Sequence, residues 1–142
     1  MNKLFVVANI IFLAIAVFFS VKYKESPDKM KEYVLMYSVI PSLLFSVIGH
    51  FVLGGKVRQS MGWSEDKGVI TLQRELGLFT LALLGVAIFK KTPDIGLIWA
   101  LFLVAAGINH IIVNKGVDGV SSMDLLYGSL LVILFLDEIE LS

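Results

Sequence analysis

The chain contains no cysteine, which excludes disulfide bonds, thiolate metal ligands and cysteine catalysis. Charge is also scarce: charged residues make up 17% of the 142 residues, compared with about 25% in a typical soluble domain. The 12 basic and 12 acidic residues balance and form no basic block. We therefore expect no nucleic-acid partner, since phosphate binding requires a concentrated cationic surface.

Apolar residues take the place of the missing charge. Hydrophobic residues make up 57% of the chain, and the mean hydropathy is +0.85. A soluble domain of this size has too high a surface-to-volume ratio to bury so much apolar surface, so the lipid bilayer is the expected partner. The composition predicts an all-α integral membrane helical bundle, with residues 1–142 forming a single transmembrane domain.

Five segments are predicted to span the membrane, for which about 20 mostly apolar residues are needed. They are residues 4–23, 33–54, 69–89, 95–113 and 121–136. The last segment is the shortest, so four spans with a partly inserted fifth helix is the alternative. We interpret the first segment as a retained anchor rather than a cleaved signal peptide, and we expect Pro41 to kink the second.

Five spans would place the two termini on opposite faces of the membrane. We call the N-terminal face side A and the opposite face side B. Basic residues number six near each face, so the positive-inside rule does not decide the orientation. Residues 56–68, between the second and third spans, are too polar to cross the bilayer and are expected to lie at its side A surface.

Few polar side chains lie within the predicted spans, and those that do are at a similar distance from the side A surface. Ionisable residues inside a span are energetically costly and are therefore candidates for function. At about 1.5 Å per helical residue, each of the five spans places one polar side chain roughly 5–8 Å below side A. These residues are Asn9, His50, Glu75, His110 and Asp124.

One face of the second span carries hydroxyl groups, because Ser38, Ser42 and Ser46 recur every four residues up to His50. We expect this stripe to face the protein interior. Together with the layer of polar residues it predicts a pocket that opens towards side A, with residues 56–68 as its lid.

Three residues near this pocket have simpler structural interpretations. Trp63 is predicted either to cover the pocket or to anchor the chain at the interface, and Trp99 to be an interface residue near side B. Asp124 either faces the pocket or belongs to a capping box, in which Ser121 is the N-cap and the acid occupies the third helical position.

Two chemical uses of the polar layer are open at this point. In the first, Glu75 is a general acid or base with His50 and His110 as partners; its structural alternative is an ion pair with Arg74 or a protonated histidine. In the second, His50, Glu75, His110 and Asp124 form a two-histidine, two-carboxylate shell that would suit zinc or non-haem iron.

The short motifs around these residues resemble those of a family of small multi-pass prokaryotic membrane proteins of unknown function. In chain order they are Gly49-His50, Val57-Arg58, Gly62-Trp63, Gln73-Arg74-Glu75-Leu76-Gly77, Gly107-Ile108-Asn109-His110 and Asp124. Their layout is broadly similar to that of DoxX-like membrane proteins, over about residues 35–130. The resemblance implies a location in the prokaryotic cytoplasmic membrane and marks His50, Gln73, Glu75 and His110, but it implies no activity.

Three functions follow as hypotheses. The first is a site that binds or processes a small or lipidic molecule, such as a quinone, a sterol-like compound or a prenyl compound. Its candidate catalytic residues are Glu75, His50 and His110, and its candidate ligand-binding residues are Asn9, Trp63, Gln73, Asn109 and Asp124. The alternative is an accessory subunit, with a second copy or another membrane protein as partner, whose polar cluster only fixes helix packing. The third is a proton-coupled transporter, which would need a polar path to both faces.

Overall fold

The computed structural model describes residues 2–136, in which all regular secondary structure is helical. The helices are α1 (Asn2–Lys22), α2 (Pro27–Val34), α3 (Ile40–Phe51), α4 (Gly54–Met61), α5 (Lys67–Lys90), α6 (Asp94–Asn114) and α7 (Gly119–Phe135). A π-helical segment, Leu35–Val39, joins α2 to α3, so Pro27–Phe51 forms one continuous helix. The prediction of an all-α bundle is confirmed.

Four helices are long and apolar enough to cross a membrane, namely Lys3–Lys22 of α1, the continuous helix Pro27–Phe51, α5 and α6. Helix α7 has 17 residues. At about 1.5 Å per residue it is roughly 25 Å long, somewhat shorter than a hydrocarbon core of about 30 Å. The fifth span therefore stays a prediction, although buried side chains recur along the whole of α7.

The second long helix, Pro27–Phe51, contains a proline, Pro41, in its interior. Pro41 lacks a backbone N–H, and its ring would crowd the carbonyl group four residues earlier in a regular α-helix. The segment Leu35–Val39, which ends two residues before Pro41, is π-helical. Such local widening is one of the recognised ways in which a helix continues past a disruption.

Helix α7 begins earlier than predicted, because Asp118 is its N-cap. The Ser121 backbone N–H donates to Asp118 Oδ1 at 2.7 Å, and the Asp118 N–H donates to Ser121 Oγ at 2.9 Å. The hydrogen bond from the Ser121 backbone stabilises the charged carboxylate and holds the pKa of Asp118 below its ordinary value. The prediction that Ser121 caps this helix with Asp124 in the third position is wrong, and Asp124 lies further along α7.

Helix α6 packs closely against α7 but makes few contacts with α5. Helix α7 packs closely against α6, where a Cβ atom added at Gly96 would lie 2.5 Å from the Phe135 ring and one added at Gly128 would lie 3.0 Å from a backbone carbonyl oxygen. Helices α5 and α6 are consecutive but touch in few places, among them the ring pair Phe79 and Phe102, whose centroids are 5.8 Å apart.

Candidate ligand-binding cavity

A cavity of about 660 Å³ lies between the helices and extends from the side A end of the bundle towards side B. Its volume falls within the range of about 300–1,000 Å³ that is typical of small-molecule sites. Residues of α1, α3, α4, α5, α6 and α7 all contribute to its wall, together with the loop after α4. The loose packing between α5 and α6 accounts for the space.

Most of the cavity wall is apolar. Phe5 and Phe45 line the part near side A, with their ring centroids 5.1 Å apart, and Trp99 and Phe102 stack at 5.2 Å at the floor. Trp99 precedes Asn114, the last residue of α6, by fifteen positions. At about 1.5 Å per residue, the floor lies roughly 22 Å from the side A end of α6.

Four of the predicted polar residues come together in the cavity wall. Asn9 of α1 donates from Nδ2 to Asp124 Oδ1 of α7 at 3.3 Å. Nδ1 of His110, on α6, lies 3.8 Å from Asp124 Oδ2, which is beyond hydrogen-bonding distance. His50 of α3 also lines the cavity. The prediction of a shared polar layer therefore agrees with the structure for these four residues.

The two histidines are unusual within this layer. Nδ1 of His50 and Nδ1 of His110 are buried and make no hydrogen bond within the part of the chain that the structure describes. Most buried side-chain polar atoms do have a partner, and leaving one without a partner costs about 1–3 kcal/mol. Both imidazole rings line the cavity, which places them beside the space that a bound molecule would occupy.

The serine stripe of the second long helix faces the interior, as predicted. Ser38 is fully buried, donates to the Phe12 carbonyl oxygen at 2.7 Å and lies 2.8 Å from the Tyr127 hydroxyl oxygen. Ser42 is buried too, and Ser46 lines the cavity. Tyr127 was missed by the sequence analysis; the available signal was a single phenol in an otherwise apolar part of the last span, where it requires a partner.

Trp99 is not an interface residue. Its side chain is only 2% exposed, and its indole N–H donates to Ser42 Oγ at 2.9 Å. The sequence analysis placed Trp99 at the membrane surface because tryptophan is enriched there. That prediction is wrong, since the indole nitrogen finds its acceptor inside the bundle.

The predicted lid is a short helix and a loop. Val57 and Met61 of α4, and residues 62–64 after it, form part of the cavity wall. Arg58 fastens this unit: it donates to Glu65 Oε2 at 2.9–3.0 Å and to Gln73 Oε1 on α5. The Gln73 amide group in turn donates to the Gly54 carbonyl oxygen at 3.2 Å. Both ends of the Gln73 amide are therefore used in holding α4 against α5.

Trp63 covers the cavity rather than only anchoring the surface. It lies in the loop after α4 and lines the cavity, and its ring meets the His110 ring edge-on, with centroids 6.3 Å apart. This contact connects the lid to α6. Asn109 also borders the cavity, although its side chain is exposed.

Glu75 does not join the polar layer. Its side chain is exposed and forms no part of the cavity wall, whereas Gln73, two residues earlier, is 2% exposed. Two residues on an α-helix are about 200° apart around the axis, so a helix that turns Gln73 inward turns Glu75 outward. The prediction that Glu75 is a catalytic group of this pocket is wrong.

The predicted metal shell is not assembled either. Among residues 2–136, no three histidine, aspartate or glutamate side chains are grouped closely enough to hold a metal ion. Glu75 is on the outer face of α5, and of the remaining three only His110 and Asp124 approach each other. The donor set for zinc or iron is therefore incomplete.

Comparisons of the chain with protein-family models, with curated proteins and with solved structures found no match. The resemblance to small prokaryotic membrane proteins of DoxX-like layout therefore stays a prediction, and the geometry of the cavity is the basis for function.

Proposed function

We propose that this protein is a multi-pass membrane protein that binds a small or lipidic molecule in the cavity, with His50, His110 and Asp124 contacting its polar part. The proposal depends on one observation: the wall of a large, mostly apolar cavity includes two histidines whose buried Nδ1 atoms make no hydrogen bond in the described chain. Ligand sites have this character, in which a few polar groups converge in an apolar space. The proposal concerns binding and includes no reaction.

A purely structural role for the polar residues fits less well. Polar groups that only fix helix packing pair with each other, as Ser38 does with Tyr127 and Ser42 with Trp99. His50 and His110 do not follow this pattern. The accessory-subunit hypothesis gives no reason for burying two such nitrogens beside a cavity.

A transport path through the bundle is also disfavoured. The cavity ends at Trp99 and Phe102, and beyond them Phe135 packs against Gly96 near side B. Transporters with alternating access usually place their site between two structural repeats, and this chain shows no internal repeat. We therefore propose a site that is reached from one half of the membrane.

The proposed location is the cytoplasmic membrane of a prokaryote. Four helices of sufficient length and apolarity support a membrane protein. The narrower location is supported only by the motif resemblance. A second copy or a membrane partner is compatible with the exposed apolar surfaces, such as those at Phe18 and Phe89, which lipid would cover equally well.

The test is mass spectrometry and elemental analysis of protein purified gently in lipid nanodiscs. Ala106 lines the cavity, so Ala106→Phe is expected to fill part of it. Ala82→Phe is the matched control, because Ala82 is an exposed alanine on α5 outside the cavity wall. A molecule retained by the native protein and by Ala82→Phe, and lost from Ala106→Phe, is the expected result.

Two outcomes would contradict the proposal. One is native protein that retains no molecule and binds none from a lipid extract. The other is a molecule that Ala106→Phe retains as well as the native protein does, since that molecule would occupy another surface.

A further inference from the structure

We propose that the molecule is a neutral amphiphile with a single hydroxyl-bearing head and an elongated apolar body, held with its head at the polar layer and its body directed towards Trp99. This inference rests on the proposed function, because it assigns chemistry and orientation to the occupant of the same cavity. Its basis is the distribution of polar atoms along the cavity and the absence of cationic side chains from the described wall.

The shape of the ligand follows from the separation of the two ends of the cavity. His110 and Trp99 both line it and are eleven residues apart on α6, which corresponds to roughly 16 Å at about 1.5 Å per residue. On α6 the interval between them is lined by Phe102, Leu103 and Ala106. On the facing helix α3, Ser42 and Ser46 also line the cavity, and Ser42 already accepts the indole N–H of Trp99. A molecule with one polar end and a long apolar body fits this gradient, whereas a compact molecule with polar groups all round does not.

The chemistry of the head follows from the groups that face it. Within the described residues, the cavity wall contains one carboxyl group, Asp124, and no lysine or arginine. An anionic head would be desolvated next to that carboxyl group without a cation beside it. A hydroxyl group both donates and accepts, and so can pair with a neutral imidazole of His50 or His110 and with the Asp124 carboxyl group.

The source of the ligand is the bilayer. Leu72 on α5, and Ala105 and Asn109 on α6, line the cavity and are exposed. Because α5 and α6 touch in few places, these residues border an opening between two helices that are each long and apolar enough to cross a membrane. An amphiphile dissolved in lipid reaches the cavity through this gap without passing through water.

The two tryptophans of the chain make the orientation measurable, because Trp63 lies at the lid and Trp99 at the floor. The probes are long-chain primary alcohols that carry bromine, a fluorescence quencher, either beside the hydroxyl group or at the far end of the chain. Trp63→Phe protein in nanodiscs reports from Trp99 alone, and Trp99→Phe protein reports from Trp63 alone. If Trp99→Phe does not fold, the comparison of both probes on Trp63→Phe protein still decides the orientation.

The expected result is saturable quenching of Trp99 by the tail-brominated alcohol, with much weaker quenching by the head-brominated one, and the reverse order for Trp63. The alcohol should bind about tenfold more tightly than a bromoalkane without a head, which is the effect of about one well-placed hydrogen bond. The corresponding bromo-carboxylate should bind more weakly because it meets the Asp124 carboxyl group. The bromo-amine should also bind more weakly, because desolvating an ammonium group in this mostly apolar cavity costs more than its attraction to Asp124 returns.

The failures are distinguishable. Saturable binding in which the carboxylate, the amine or the headless alkane equals the alcohol would overturn the head chemistry and leave the binding function standing. Saturable quenching in the opposite order would overturn the orientation. If none of the five probes quenches either tryptophan in a saturable manner, the proposed function fails together with this inference.

Discussion

Replacing His50 by leucine separates a binding role from a structural role more sharply than any other single change. Nδ1 of His50 is buried without a hydrogen bond in the described chain, and a buried polar atom in that state costs about 1–3 kcal/mol. Leucine removes the nitrogen and keeps much of the apolar contact. We therefore expect the free energy of unfolding of His50→Leu to stay unchanged or to rise by about 1 kcal/mol, while affinity for the cavity ligand falls about tenfold.

The matched control is Trp99→Phe, which removes a buried polar group that has a partner. The indole N–H of Trp99 donates to Ser42 Oγ at 2.9 Å, so this change leaves a buried hydroxyl group without its donor and should lower the free energy of unfolding by about 1–3 kcal/mol. Reversible unfolding in mixed detergent micelles, followed by circular dichroism, measures both. A loss of more than about 2 kcal/mol in His50→Leu would refute the reasoning, because it would give His50 a packing role like that of Trp99.

Three further predictions concern the helix contacts, the α7 cap and access to the cavity. Gly96→Ala should lower the free energy of unfolding by about 1–3 kcal/mol, since the added Cβ would lie 2.5 Å from the Phe135 ring; Gly85→Ala, whose Cβ would meet nothing within 4 Å, should not lower it. Asp118→Ala should lower it by about 1 kcal/mol near neutral pH through loss of the cap. Because folding depresses the pKa of Asp118 below 3.8, that contribution is present above this value and disappears as the pH falls through the folded-state pKa, so melting curves of the native protein and the variant should converge in acid. Ala105→Phe should slow uptake of a brominated alcohol in stopped-flow fluorescence, and an unchanged rate would contradict access between α5 and α6.

The depth of each polar residue could be predicted from the sequence, because depth depends only on counting along a helix whose ends are marked by polar residues. Asn9, His50, His110 and Asp124 were placed at one level in this way, and the structure brings all four to the cavity wall. The direction of each side chain is a different quantity. On α5 a rotation about the axis exchanges Gln73 and Glu75, and apolar residues surround α5 so completely that hydropathy does not fix that rotation.

Other errors arose where a long-range partner overrides a local preference. Trp99 was assigned to the interface from the general distribution of tryptophan, and its acceptor, Ser42, is 57 residues away in the chain. The cap of α7 was assigned to Ser121, with Asp124 three residues later as its partner. Asp118 and Ser121 have the same three-residue spacing, and these two residues form the capping box in the structure. The position of Trp99 could be found only from the packing of α6 against the second long helix. For the cap of α7, two local sequence patterns were possible, and the wrong one was chosen.

Hydrogen bonding divides the interior of this bundle into two regions with different physical characters. Around Ser38, Tyr127, Ser42 and Trp99 each polar atom named has a partner from another helix, which is how polar groups stabilise one particular packing without a ligand. Nearer side A, the buried Nδ1 atoms of His50 and His110 make no hydrogen bond in the described chain, and both rings line a large, mostly apolar cavity. Replacing these two imidazoles by apolar side chains would be expected to stabilise the fold. Replacing Tyr127 or Trp99 would not, because their polar atoms have hydrogen-bond partners. The presence of buried nitrogens without hydrogen bonds on α3 and α6, both of which contribute to the cavity wall, is therefore the physical ground on which we prefer binding to packing as the role of this layer.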